Sequence, residues 1–161
     1  MSLTFVLALL SAKFHPDGHL LAAGQADGQI KIFDVKAGAA AANFSMPGPV
    51  KSLFFSENGT WLASVAENST VISVWDLRSF KEIKSLDTGS KVDSICWDYT
   101  GQYLVTAGPN GLTVQQYTKS NKAWSEPLRS AVPATAAAWG PGAQSIVALN
   151  AEGGVTVVGA K

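Results

Sequence analysis

The stretch FHPDGH sets His15, Asp17 and His19 at alternate positions, a spacing that can turn two imidazoles and a carboxylate toward one divalent cation. The same six residues also spell a tight turn between two strands, with Pro16 and Gly18 where their φ preferences suit it. The corresponding slots further along, Glu57-Asn58-Gly59 and Tyr99-Thr100-Gly101, offer no such ligand set, so a turn is expected here and no metal. These two histidines are the only ones, which leaves a Ser- or Cys-based triad without a base anywhere else. The single cysteine, Cys96, excludes an internal disulfide and a multi-cysteine zinc site. It stands beside Trp97 in an apolar run, where burial raises the thiol pKa and quenches reactivity. GPNG (108–111) and GPG (140–142) lack the spacing of a phosphate-binding loop and read as turns. No catalytic residue, cofactor or metal is expected.

Binding chemistry is equally sparse. YTKSNKAWSEP (117–127) places Lys119 and Lys122 near Trp124, a combination that can stack a nucleobase. Lys and Arg nevertheless balance Asp and Glu at 12 each, and only 15% of residues are charged, so no broad field for nucleic acid exists and a solvated loop is expected. Three sequons, at Asn43, Asn58 and Asn68, and the apolar start MSLTFVLALLSA support a second reading, a secreted or surface propeller that binds proteins or glycans. Against it, no cation precedes the apolar run and Leu10 is large for a cleavage site; the run is also too short to span a bilayer, so no membrane association is expected. A buried strand is the expected form of this start.

What organises these residues is a repeat. KFHPDGHLLAAG, FFSENGTWLASV, CWDYTGQYLVTA and AWGPGAQSIVAL each carry an aromatic, a turn, a small residue and an apolar run. The aromatics Phe14, Phe55, Trp97 and Trp139 are 41, 42 and 42 residues apart, and the aliphatics Leu21, Leu62, Leu104 and Ile146 keep the same intervals. GQIKIFD, TVISVWD, GLTVQQY and GGVTVVG follow, aligning Phe33, Trp75, Gln115 and Val158 at one site and Asp34, Asp76, Gln116 and Gly159 at the next. Trp75-Asp76 therefore closes a third strand, whereas Trp97-Asp98 ends a first one. Four short strands per unit at this period, with that dipeptide, are the pattern of WD-type β-propeller blades.

The reading is an all-β, partial WD-repeat propeller of about four blades, one domain over 1–161 with blades near 1–45, 46–88, 89–130 and 131–161. The last blade has no segment left for its outer strand. A typical ring has about seven blades, so a fragment of a longer protein, or an assembly covering the open flanks, is expected. Blade-signature positions are Asp27 and Asp34 in the first unit, Ser64, Trp75 and Asp76 in the second and Thr106 in the third. No unit holds the full hydrogen-bonded set of Trp, Ser or Thr, His and Asp, and the segment before the second unit has no His, so apolar packing is expected to carry the blades.

HPDGHLLAAG, IKIFDV, FSENGTWLAS, WDLRSFK, WDYTGQYL and VQQYTKSNKAWSEPLRS resemble the C-terminal propeller of the pre-mRNA-processing factor 19 family, in a fungal form, over residues 12–161. The runs at 95–104 and 114–130 are the specific part. That resemblance implies a nuclear, spliceosomal setting and the propeller of a U-box ubiquitin ligase, which engages substrates and partners. Nothing here is similar to the U-box or the coiled coil, and about three blades are absent, so ligase activity and tetramer formation do not carry over. A non-catalytic protein-interaction module is expected, with self-association through open flanks as a further expectation. Contact candidates, chosen by position on the links and second turns, are Met46, Pro47, Lys51, Asn68, Lys91 and Asn110.

Overall fold

The computed structural model describes residues 8–159. The chain forms four antiparallel sheets in sequence order. Sheet one holds β1 (Leu9–Phe14), β2 (Leu20–Gln25), β3 (Gln29–Asp34) and β4 (Ala39–Ser45). Sheet two holds β5 (Val50–Phe55), β6 (Trp61–Ala66), β7 (Val71–Asp76) and β8 (Lys81–Asp87). Sheet three holds β9 (Ser94–Trp97), β10 (Tyr103–Gly108), β11 (Gly111–Thr118), β12 (Ala123–Trp124) and β13 (Leu128–Ser130). Among the described residues, sheet four holds β14 (Ala136–Trp139), β15 (Ser145–Leu149) and β16 (Val155–Gly159).

The repeat reappears as strand register. Phe14 pairs with Leu21 and Leu21 with Phe33; Phe55–Leu62–Trp75, Trp97–Leu104–Gln115 and Trp139–Ile146–Val158 repeat the same ladder. Cross-strand partners share a face, so the ladders of sheets two, three and four lay their large side chains against the preceding sheet. Leu62 and Trp75 accordingly join a core with Ala22, Ile30, Ile32 and Phe44 of sheet one, while Ala63, Val65, Ile72 and Val74 meet Ile95, Trp97 and Leu104 of sheet three. Cys96, Val105 and Leu112 pack on Ile146 and Ala148 of sheet four. Middle strands such as β7 are buried on both faces; outer strands such as β8 are mostly exposed. Each fully buried Leu, Ile or Val in these junctions stabilises by about 1.5–3 kcal/mol, so stacking sheet on sheet is what holds the array together.

Sheets one to four pack each on the next through their first strands, and the array is an open arc. Of the apolar start expected to be a buried strand, residues 1–7 lie outside the described residues. The part described, β1, is a strand whose side chains are largely exposed, because among the described residues sheet one has a neighbouring sheet on one face only; Phe14 is 62% exposed where Phe55 is 4%. The outer strand of sheet three, expected as one piece near 124–128, is split into β12 and β13, which both pair with β11. Pro127 lies in the gap and has no N–H to give the ladder.

Candidate protein-interaction surface

The links between sheets run across the second turns, the turns between each sheet's second and third strands. The Met46 N–H donates to the Gly28 carbonyl at 2.8 Å, Glu67 to Pro49 at 2.7 Å, Val92 to Ser69 at 3.0 Å and Ala134 to Gly108 at 3.1 Å. The Arg129 guanidinium donates to the Thr88 carbonyl, tying β13 to the link between sheets two and three. This link-and-turn surface is therefore one hydrogen-bonded face of the arc. Its turns are held by their own side chains: Asp27 Oδ1 accepts from the Gln29 N–H at 3.0 Å, and Ser69 Oγ accepts from Val71 N–H at 2.9 Å. Asp87 Oδ1 accepts from Gly89 N–H at 2.8 Å, and that bond, with Thr70 and Arg129 nearby, holds its carboxyl below the usual range.

Pro47, Lys51, Asn68, Lys91 and Asn110 are exposed on this face. Asn68 takes the left-handed φ of 58° that Asn tolerates in turns. Lys91 Nζ stands 3.7 Å from Asp93, and Lys51 borders a hollow with Leu10, Val50 and Glu67. The charges alternate in sign, which suits a mixed protein surface more than a phosphate backbone. Met46 departs from the set: its side chain is only 8% exposed and belongs to the core between sheets one and two. The reason is chemical. The Trp75 Nε1–H donates to Ser64 Oγ at 2.8 Å, and the Ser64 hydroxyl donates to the Met46 sulfur at 3.1 Å, so a thioether ends the relay that lacks a histidine. Sheet two thus keeps a buried polar relay where apolar packing alone was expected. In sheet three Thr106 and Gln115 occupy the equivalent positions, both buried, and Gln115 Oε1 finds no donor among the described residues.

Asp34 and Asp76 cap the third turns, accepting from the Ala37 and Arg78 N–H groups at 2.8 and 2.9 Å. On the opposite face, His15 and Asp17 form the expected turn, with the Gly18 N–H donating to the His15 carbonyl at 2.8 Å. His15 Nδ1 lies 2.7 Å from Asp17, and Nε2 lies 2.9 Å from the Gly59 carbonyl of sheet two, so this imidazole is a bridge between first turns. Among the described residues no group of three or more His, Cys, Asp or Glu side chains is placed to hold a metal. Sequence reasoning passed over Asp98. It is wholly buried, and its two oxygens accept from Thr100, Gln102 and Tyr103 at 2.5–3.0 Å, closing the first turn of sheet three. The Asp-x-Thr-Gly wording was the available signal.

Comparison with known proteins agrees with this geometry. Residues 42–76 match the family model of the WD domain, G-beta repeat, and residues 7–58 match that of the anaphase-promoting complex subunit 4 WD40 domain. Pre-mRNA-processing factor 19 of Schizosaccharomyces pombe is 34% identical over 124 residues, covering 76% of this chain and 25% of that protein. The human protein of the same name is 40% identical over 124 residues, covering 75% and 23%. The chain thus spans about a quarter of the length of these relatives. Among solved structures, the β-propeller domain of Myceliophteria thermophila Cps50 (Swd1) superposes with a TM-score of 0.82 at 16% identity, covering 97% of this chain and 55% of that one. A chain of the mitotic checkpoint complex gives 0.81 at 17%, covering 94% and 49%. Both likenesses concern the fold alone.

Proposed function

We propose that this chain, which belongs with the WD-repeat propellers of the pre-mRNA-processing factor 19 family, engages spliceosomal or ubiquitination-related protein partners in the nucleus. A WD-repeat scaffold of this kind is a protein-interaction module. The observation that carries the reading is the pairing of that relationship with an exposed face of links and second turns, bearing Pro47, Lys51, Asn68, Lys91 and Asn110. Charges of both signs, rigid turns and protruding short side chains favour a protein partner that docks by shape and local ion pairs. The module acts by positioning; no bond-making step is assigned to it.

The test is co-purification of splicing components with the tagged chain, together with its distribution between nucleus and cytoplasm. Lys51→Glu with Lys91→Glu is expected to weaken recovery without moving the melting temperature. Unchanged recovery, or a chain confined to the cytoplasm, sinks the proposal; a lowered melt reassigns these lysines to structure.

A further inference from the structure

The junction between sheets two and three carries an aromatic cluster that the repeat does not require. Trp61, at the start of β6, meets Tyr117 edge-on with ring centroids 4.6 Å apart and an angle of 86°. Trp97 and Trp124 lie 5.8 and 6.0 Å from Trp61. Trp124 is half-buried in this cluster, not the exposed loop residue its flanking lysines suggest. Trp97 is buried, and its indole N–H has no acceptor among the described residues. Beside the cluster is a groove of about 470 Å³, lined by Trp61, Ile83 and Lys84 of sheet two and Tyr117, Lys122 and Trp124 of sheet three. Among the described residues that line it, the charged side chains are the two lysines. Ile83 is exposed, and β8, which supplies Ile83 and Lys84 to the groove, is the terminal strand of its sheet, with no ladder partner on its outer edge among the described residues.

We propose that this groove binds an acidic, extended peptide segment of a partner protein, separately from the link-and-turn face. Half-buried Tyr117 and Trp124 offer rigid contact area at low entropic cost, enough to seat one apolar side chain. Lys84 and Lys122, with no carboxylate in the lining, select negative charge on either side of that anchor. The free edge of β8 presents backbone donors and acceptors to a peptide in extended form. A single-stranded nucleic acid is disfavoured, since two cations on a chain of zero net charge make no continuous track for phosphates.

The experiment titrates three probes into the 161-residue chain and follows tryptophan fluorescence. They are a short peptide alternating Glu and Leu, its twin with Gln for Glu, and oligouridine. Saturable binding of the acidic peptide is expected, weakened roughly fivefold or more in the Gln twin and in Lys84→Glu/Lys122→Glu. Lys84→Gln/Lys122→Gln gives a smaller loss in the same direction, and Lys51→Glu, on the other face, gives none. Absence of saturable binding by the acidic peptide, or equal binding by both double variants, overturns the proposal. Binding of oligouridine that the double variants abolish also overturns it, assigning the groove to nucleic acid. Failure of the link-and-turn face would show in Lys51→Glu and Lys91→Glu alone, so the two readings fall independently.

Discussion

Ser64 has a hydrogen-bond partner on each side, and its removal costs more than that of the Met46 sulfur. Ser64→Ala leaves the buried Trp75 N–H without an acceptor, a loss of about 1–3 kcal/mol. Met46→Leu removes only a weak sulfur acceptor and costs less, below about 1 kcal/mol. Thermal unfolding of the two variants should rank them in that order; equal melts would show that the relay contributes nothing beyond packing. Cys96 offers a second check. Burial pushes its thiol up, and its Sγ–H donates to the Trp97 carbonyl at 3.3 Å. Alkylation at neutral pH should therefore be slow in the folded chain and fast in denaturant. Because the folded thiol holds its proton to higher pH than the unfolded one, its contribution to stability is complete below the ordinary thiol range and lost as pH rises through the raised value. Rapid labelling of the native chain would contradict this burial.

Strands and links meet most tightly where backbone passes backbone. A methyl group on Gly108 would collide with the Lys91 carbonyl, whereas one on Gly48, in the preceding link, would meet open space. Gly108→Ala should cost about 2–3 kcal/mol, and Gly48→Ala should stay within about 0.5 kcal/mol. Denaturant midpoints measure both, and similar values would mean that the link between sheets two and three yields more freely than this packing allows. The same scale explains the divided edge of sheet three. Ser125 keeps its N–H on the Gln116 carbonyl at 2.8 Å and accepts from the Gln116 N–H through Oγ, but Pro127 has nothing to donate, so pairing resumes only at Leu128. Sequence placed a strand there; the interruption depended on which ladder positions faced β11.

The arc as a whole ends in an apolar face. On sheet four, Leu149 and Val155 pair across β15 and β16, as do Val147 and Val157, and this side of the sheet turns away from sheet three. Val155 and Val157 are 63% and 67% exposed. Sheets one to three bury such a face against the next sheet, so sheet four carries a surface built for a neighbour. We expect the 161-residue chain to self-associate through this face. Light scattering on the purified chain should show a dimer or larger species, and Val155→Lys/Val157→Lys should return it toward the monomer with an unchanged melt. A wild-type monomer at high concentration would remove self-association.

Periodicity alone determined the strand plan. Aromatics, small turn residues and aliphatics at a constant interval have one register that keeps them on a common face, and the observed ladders Phe55–Leu62–Trp75 and Trp139–Ile146–Val158 are that register. The turn character of His15 to His19 was equally legible, because Pro and Gly restrict φ locally. Tertiary structure alone decided which side chains are buried at the ends and what occupies a vacant place in a relay. Phe14 and Phe55 hold the same repeat position, yet one is exposed because burial depends on a neighbouring sheet and not on residue type. Met46 sits in a link, a surface position by sequence, but its side chain is buried where its sulfur accepts from the Ser64 hydroxyl. The aromatic groove came from residues up to 63 positions apart in sequence, Trp61 to Trp124, which only the stacking of one sheet on the next brings together.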